Sequence, residues 1–535
     1  MGLLLRRPDD LPPEAAYDIW FATTDAAPAE VPGRKWPDVA VRLEAAYDRC
    51  AETCWKIGEA LSQEPGAEIA RTPTMGAYGT DFRLMLAWVG LAEEIAGDAE
   101  RRLMICDDPW LFRTVAALPG IDAGRPPRLA ARRFRLRMRG RLSRARNAAR
   151  LALTAIRLRG QKSAVARGKP SLLVYGHPGS SADGRDAYFG DLMIREPETQ
   201  RLLHTDCPLQ LARQLGSGNR AASLHAWGTP LFALSTAFTV WRPAKPSGGD
   251  RYALLLDRAA EVENSGAGPA MTRWQAHCQR RWIAACAPSA IVWPWENFAW
   301  ERALCREAHR TGIPAIGYQH TVVGLHQLNF AARLNPDGAA SLPDTIVCNG
   351  PAYRQELADW GHRTDAMPVG GAFRIARPRK IEWAPDAPVY FALSGLLPIA
   401  RAQAAAARTV ADSGRTVLFR DHPMYPIDIG ETPTLRRAET GLLQQDRLSA
   451  VVYSTGTSGL EAVLAGIPTL RFLPDDRVAV QVLPAGVEVP PVTGENIVEA
   501  LDRADAPPNV RWEEIFAEVD YSRWHSVLTG KAASV

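Results

Sequence analysis

Short apolar runs, each closed by a loop containing Gly or polar residues, alternate with helix-length segments from residue 171 to residue 473. SLLVYG (171–176), ASLHAW (222–227), AIVWPW (290–295), PAIGYQH (314–320), TIVCNG (345–350) and MPVGG (367–371) read as strands, with helices at 272–287, 297–311 and 352–360. Alternation of this kind implies a parallel sheet covered on both faces. The break RIARPRKIEWAPDAP, rich in Pro and charge, ends this set. A second set follows: VYFALSG (389–395), an Ala-rich helix (398–411), TVLFRDHP (416–423), AVVYS (450–454), a helix (459–465) and TLRFL (469–473). The fold class read from this is α/β, with two Rossmann-like doubly wound domains joined by a linker. Such a pair places a cleft between the carboxyl ends of two sheets, where ligands bind.

Upstream, residues 37–61 and 81–96 read as helical, and LMICDD (103–108) as a buried strand followed by the helix PWLFRTVAAL. A basic segment separates this strand from SLLVYG and is therefore expected as an insertion between two strands of one domain. The divisions expected are 1–124 (helical region and start of the first domain), 125–169 (basic insertion), 170–375 (remainder of the first domain), 388–505 (second domain) and 506–535 (a C-terminal helix that can return to the first domain).

Residues 125–169 hold 16 Lys and Arg and no Asp or Glu, which leaves 47 Lys and Arg against 59 Asp and Glu elsewhere. The net charge of +4 therefore hides a strongly basic segment. Phe134, Met138, Leu142, Ala145, Ala149, Leu153 and Ile156 recur at helical spacing. Arg132, Arg135, Arg139 and Arg146 fall mostly off that stripe, giving a polybasic amphipathic helix, locally weakened at Gly140, that suits an anionic membrane surface. The alternative is a solvated helix that packs its stripe on the domain. Nucleic acid is not an expected partner, because aromatic residues for base stacking are almost absent here.

No apolar stretch approaches the roughly 20 residues of a spanning helix, and MGLLLRRPDD lacks the order of charge and apolar residues of a secretion signal. The expected location is cytoplasmic, peripheral on the inner face of the membrane. Eight cysteines without CxxC spacing read as reduced thiols rather than zinc ligands.

The chemistry concentrates in the second set. In VVYSTGTSGLEAVLAGIPTL (451–470) a strand enters a Ser/Thr/Gly turn that opens a helix, so N–H groups and the helix dipole can meet a phosphate. Ser458 and Glu461 also have the spacing of a capping box, which would satisfy those groups internally. Taken alone, both readings stand. In FRDHP, Arg420 and His422 alternate at the end of a strand that Pro423 stops. Two polar strand ends in one sheet make a shared pocket more probable than either does alone.

The Arg-x-His-Pro element, followed by Ser-Thr-x-x-Ser-Gly-x-Glu-Ala and Gly-x-Pro, resembles the nucleotide-binding half of GT-B glycosyltransferases of bacterial surface polysaccharides. It is similar to capsule Kdo transferases, HP-motif sialyltransferases and CDP-glycerol glycerophosphotransferases. The resemblance implies that His422, Ser454, Thr455 and Ser458 contact donor phosphate and that Glu461 reaches the ribose. Ser394, Arg420, Thr457 and Gly459 complete the expected donor set.

In the first domain Glu296 follows one strand, and Gln319, His320 and Thr321 follow the next. Glu296 or His320 can serve as base, as can Asp191 of the Gly-rich loop HPGSSADGRDAYFGDL, which also carries Asp183 and Asp186. No DxD triplet is present, so a metal-independent reaction without cofactor is expected. The resemblance favours a CMP-activated Kdo or nonulosonate as the nucleotide-sugar donor, with a saccharide or lipid-linked acceptor. A UDP-sugar or CDP-glycerol transferase, a sugar-nucleotide epimerase of the same fold and an inactive assembly scaffold remain open.

Overall fold

A computed structural model describes residues 2–23, 30–216, 220–244, 251–422, 425–505 and 509–530. Among these residues lie three parallel sheets and one two-residue strand pair. The first sheet holds β1 (Leu3–Arg6), β2 (Ile19–Ala22), β3 (Arg34–Lys35), β4 (Arg102–Ile105) and β5 (Ile121–Ala123) in the order β3-β2-β4-β1-β5. The second holds β6 (Ser171–Val174), β7 (Gln200–Leu203), β8 (Ala221–Ser223), β9 (Ile291–Pro294), β10 (Ala315–Gln319) and β11 (Thr345–Cys348) in the order β11-β10-β9-β6-β7-β8. After β12 (Glu382–Trp383) come β13 (Val389–Ala392), β14 (Val417–Arg420), β15 (Leu435–Arg437), β16 (Arg447–Leu448), β17 (Ala450–Tyr453), β18 (Thr469–Phe472) and β19 (Pro491–Val492). The third sheet runs β15-β14-β13-β17-β18-β19, and β12 pairs with β16.

Counted within each sheet, both six-stranded orders are 3-2-1-4-5-6, that of a Rossmann-type doubly wound sheet. The chain reverses direction across each sheet between β6 and β9 and between β13 and β17. Pairing of β6 with β9 covers only Ser171–Ile291 and Leu172–Val292, so the carboxyl ends of these strands separate and open a crevice. Every residue of β9 and β17 is buried, which is why these strands read as unbroken apolar runs.

The five-stranded sheet is absent from the sequence reading, which placed LMICDD and SLLVYG in one domain. β4 instead pairs with β1 and β2, while β6 pairs with β7 and β9. The basic segment is thus no insertion within one sheet. It forms a 30-residue helix, Leu129–Leu158, that carries the chain from the first sheet to the second. Two expected strands also differ: MPVGG makes only an isolated bridge from Val369 to Cys348, and ASLHAW ends its strand at Ser223 and turns into a 3-10 helix.

The basic helix packs by a face other than the one its periodicity suggests. Leu136, Gly140, Asn147, Ala148, Leu151, Ala155 and Leu158 are buried, whereas Phe134 and Leu142 are 65% and 68% exposed, with Met138, Leu153 and Ile156 also exposed. The solvated-helix alternative, with this stripe packed on the domain, does not hold. Gly140 does not interrupt the helix. A Cβ there would lie 2.1 Å from the Asn264 carbonyl oxygen, so Gly lets the Ala253–Asn264 helix approach closely. Inner-side arginines find partners on that helix: Arg133 pairs with Asp257 and Arg137 with Glu261.

The C-terminal helix Tyr521–Thr529 lies on the second sheet's domain. Trp524 is fully buried against Phe189, Tyr318 and Phe373 and donates to the Gly370 carbonyl at 3.0 Å.

His225, in the 3-10 turn after β8, is buried with both ring nitrogens engaged. Nδ1 accepts from Trp274 Nε1 at 3.0 Å, so Nε2–H donates to the Thr205 carbonyl at 2.9 Å. Burial pushes its pKa down to about 4, against about 6.5 in an unfolded chain. Between these values the unfolded state binds a proton that the folded state refuses, so stability falls as pH drops from about 6.5 toward 4. The loss from this one group reaches about 3 kcal/mol at the lower end. Urea midpoints measured across that window should fall less steeply for His225→Gln than for the parent chain; equal slopes would count against this assignment.

Candidate functional site

The site occupies the carboxyl ends of both six-stranded sheets. On the third sheet, Ser394 follows β13 and Thr455 follows β17, and their hydroxyls meet at 3.0 Å across the reversal point. Gln403, fully buried, fixes the Ser394 loop: its Oε1 accepts from Ser394 N–H at 2.8 Å and its amide donates to Ala392 O at 3.1 Å. The His422 ring lies over this loop, and a Cβ on Gly395 would come within 3.1 Å of it. It also stacks on Tyr425 with centroids 5.5 Å apart. Burial lowers its pKa, so the ring is neutral near pH 7. Pro423, the expected strand stop, lies outside the described residues.

The Ser/Thr/Gly turn leads into the helix Ser458–Ala465, with Thr457 as its cap residue and no side-chain cap bond. The expected Ser458–Glu461 capping box does not form, because Ser458 is already the first helical residue. The first-turn N–H groups therefore face the turn without a side chain to satisfy them, and the dipole favours an anion there. Thr457 Oγ1 donates to Glu461 at 3.4 Å, and burial raises the Glu461 pKa against that bond and the nearby Arg374.

Three members of the expected donor set have structural duties. Ser454 is fully buried and ties β17 to β18 through the Phe472 carbonyl at 2.8 Å. Arg420 turns to the carbonyl oxygens of Ala438 and Glu439 at 3.4 and 3.1 Å. Gly459 carries no side chain because a Cβ would lie 2.2 Å from the Tyr453 ring.

On the second sheet, Glu296 follows β9 and His320 follows β10, with Oε1 and Nε2 3.6 Å apart. Arg374 approaches the other ring nitrogen, Nδ1, at 3.2 Å. A guanidinium only donates, so Nδ1 accepts and Nε2 carries the proton that points at Glu296. Burial keeps the His320 pKa low despite the Glu296 carboxylate. Glu301 holds the turn that presents Glu296: its carboxylate accepts from the N–H groups of Glu296, Asn297 and Phe298 and from Trp293 Nε1. Asn297 takes a φ of +57° there.

Arg374 belongs to the linker, is exposed and lies over the Tyr188 ring at 5.0 Å. Its charge is felt by His320 and His177 on one side and by Glu461 on the other, so it sits where the two domains face each other. The sequence reading missed it. Its only signal was a cation three residues beyond the MPVGG run.

Beside Glu296 opens a cavity of about 1010 Å³, lined also by Tyr175, His204, Gln275 and Trp300. Its outer wall is the basic helix, through Leu142, Arg146 and Arg150. Gln275 Oε1 accepts from Thr205, leaving its buried Nε2 unpartnered, as is His204 Nε2. Gln275 Nε2 is a donor, while the role of His204 Nε2 follows the tautomer set at Nδ1, which lies 3.3 Å from the Asp206 N–H and 3.1 Å from the Asp206 carboxylate. His320 does not line this cavity.

Asp191 is placed elsewhere, between Arg195 at 2.7 Å and the Tyr521 hydroxyl, where these bonds outweigh burial and hold its pKa low. It anchors the C-terminal helix. Asp186 is buried beside Arg201 at 3.7 Å and caps Tyr188 and Phe189 N–H groups; Asp183 bonds its neighbour Ser181. Gln319 spans the Thr321 carbonyl and Asn349 N–H. Among the described residues no group of three His, Cys, Asp or Glu converges to hold a metal ion.

The class these features define is an α/β protein whose two doubly wound sheets bring polar groups from both chain-reversal points to one cleft. No family model matches the chain, and no curated protein matches it. Among solved structures, CalG4, the calicheamicin glycosyltransferase, shares 13% identity and a TM-score of 0.38, covering 68% of this chain and 95% of that one. The UDP-N-acetylglucosamine 2-epimerase of Rickettsia bellii shares 9%, over 68% and 95% of the chains, at a TM-score of 0.35. UGT89C1 of Arabidopsis thaliana shares 11%, over 68% and 93%, at 0.36. At these TM-scores the likeness carries no argument about function.

Proposed function

We propose that this chain is a GT-B-type glycosyltransferase that moves a sugar from a nucleotide donor, held by the third sheet, to a saccharide or lipid-linked acceptor in the cavity beside Glu296. The observation that carries this reading is the line of groups from the Ser394–Thr455 pair and His422, through Arg374 and His320, to Glu296 at the cavity edge. Glu296 takes the acceptor hydroxyl's proton while that oxygen bonds the anomeric carbon. The carbon–oxygen bond to the phosphate breaks and its electron pair leaves with the nucleotide. Arg374, the hydroxyls of Thr455 and Thr457 and the N–H groups of the Ser458 helix meet the developing charge. His320 holds the Glu296 carboxylate in place.

The favoured donor is a CMP-activated acidic sugar, Kdo or a nonulosonate, on the strength of the HP and Ser/Thr elements. The protein works at the inner face of a membrane in surface polysaccharide or glycolipid synthesis. The exposed stripe Phe134, Met138 and Leu142 supports this, with Arg132, Arg135, Arg139 and Arg146 exposed on the same helix. No helix among the described residues is long and apolar enough to cross a membrane.

A thermal-shift panel of CMP, CDP, UDP and GDP tests the donor. A ligand at about 100 times its Kd adds about 2.7 kcal/mol to the folded state. CMP or CDP should raise the midpoint most, and His422→Ala should lose the shift while melting normally without ligand. A panel in which no nucleotide moves the midpoint, or an unaltered shift in His422→Ala, would remove the donor site.

A further inference from the structure

The membrane-facing helix is also a wall of the cavity, and this joins two features that are otherwise separate. Along Leu129–Leu158 the exposed apolar residues Phe134, Met138 and Leu142 recur every fourth position, and Arg146 and Arg150 form the adjoining flank at the cavity. Leu142, Arg146 and Arg150 all line the cavity. The apolar stripe, the basic flank and the cavity are therefore contiguous, in that order around the helix.

The charges are not used internally. Arg146 has no carboxylate partner among the described residues, and Arg150 donates only to Asn147 of its own helix, at 2.8 Å. Arg133 and Arg137, by contrast, are neutralised by Asp257 and Glu261. Arg71, from the first sheet's domain, also lines the cavity. Three guanidinium groups thus border the cavity at a place that adjoins an exposed apolar track. The floor adds two unpartnered buried nitrogens, the Gln275 amide donor and His204 Nε2. Near the helix, Leu231, Leu234 and Phe238 extend the exposed apolar surface on segments packed against it.

We propose that the acceptor is a lipid-linked phosphate: its phosphate is held at the cavity mouth by Arg146 and Arg150, and its hydrocarbon chain lies along Leu142, Met138 and Phe134. The saccharide then projects inward, past Tyr175 and Trp300, to Glu296. This rests on the reading of the cavity as an acceptor site. Charge complementarity selects the phosphate, and continuity with the exposed stripe selects a chain that stays partly in the bilayer. The same arginines cannot be replaced by a generally basic surface, because only those on the cavity flank can reach a group that also enters it.

The test is vesicle co-sedimentation of the full chain. Vesicles of phosphatidylcholine are doped, at matched charge, with phosphatidylglycerol or with a polyprenyl diphosphate, and inorganic pyrophosphate is the soluble competitor. The parent chain is expected to favour the polyprenyl diphosphate vesicles by about tenfold or more, since only that phosphate can also enter the cavity mouth and take charge-assisted hydrogen bonds from both guanidinium groups. R146Q/R150Q should abolish that preference, so that the two vesicle types bind equally, with both weakened by the loss of two surface charges. R135Q/R139Q should weaken both vesicle types by the same factor. Equal binding of both vesicle types by the parent, a preference that survives in R146Q/R150Q, or pyrophosphate binding as tightly as the lipid would each overturn the proposal. Nucleotide thermal shifts on the same preparations report the donor site independently, so loss of the shift with the lipid preference intact would strike the transferase reading alone.

Discussion

Glu296→Gln is expected to lower kcat for sugar transfer by roughly 10²–10⁴-fold with nucleotide binding unchanged, the range for loss of a positioned general base. The backbone of the Glu296 turn is held by Glu301, and the Glu296 side chain contributes no hydrogen bond to the fold, so the variant should melt as the parent does. His320→Asn should reduce kcat less, because the carboxylate remains at the cavity and only its orientation is lost. Single-turnover transfer, read with calorimetric nucleotide binding, separates the two steps. Near-full kcat in Glu296→Gln would sink the assignment of the base, and loss of nucleotide binding would show that Glu296 serves the donor instead.

The second large effect is on stability. Arg471 on β18 and Glu44 in the helix Val39–Arg49 form a two-pronged ion pair at 2.6 and 2.7 Å, with side chains only 8% and 14% exposed. This ties the third sheet to the domain of the first. Glu44→Ala leaves a buried guanidinium with only the Ala479 carbonyl at 3.2 Å, and should cost about 3–5 kcal/mol. The pair itself is worth far less than that, because both charges lost their water to form it. Glu44→Ala combined with Arg471→Met should therefore recover most of the loss. Urea midpoints decide it: a Glu44→Ala cost below about 1 kcal/mol would mean the pair is solvated. The His326–Asp48 contact at 2.8 Å, with Gln481 N–H on the same imidazole, joins these two parts to the loop after β10 of the second sheet.

Legibility followed hydropathy. β9, β10, β13 and β17 are central strands buried on every residue or nearly so, and they stood out as apolar runs with boundaries within about three residues. β3, β15 and β19 were invisible because an edge strand of two or three residues with exposed side chains has no apolar pattern. The same held for the basic helix. Its longest apolar stripe is the one that faces water, while its packing face intersperses Leu136, Leu151 and Leu158 with Gly140, Ala148, Ala152 and Ala155, small residues that touch closely but carry little hydropathy signal.

By itself the sequence determined that the chain forms doubly wound parallel sheets, because alternating buried runs and helices have few other ways to hide both faces. It also located Glu296, His320, His422 and the Ser/Thr turn at strand ends, since side chains at those points follow from where the apolar runs stop. Only the tertiary structure decided which of these groups are available for chemistry. Ser454, Arg420 and Asp191 spend their polar atoms on carbonyls, a hydroxyl or an ion pair brought close by folding, and no local pattern reveals a partner 18 or 330 residues away. Arg374 and the cavity walled by Arg146 exist only once separate domains meet, because they are made of surfaces that no single segment contains.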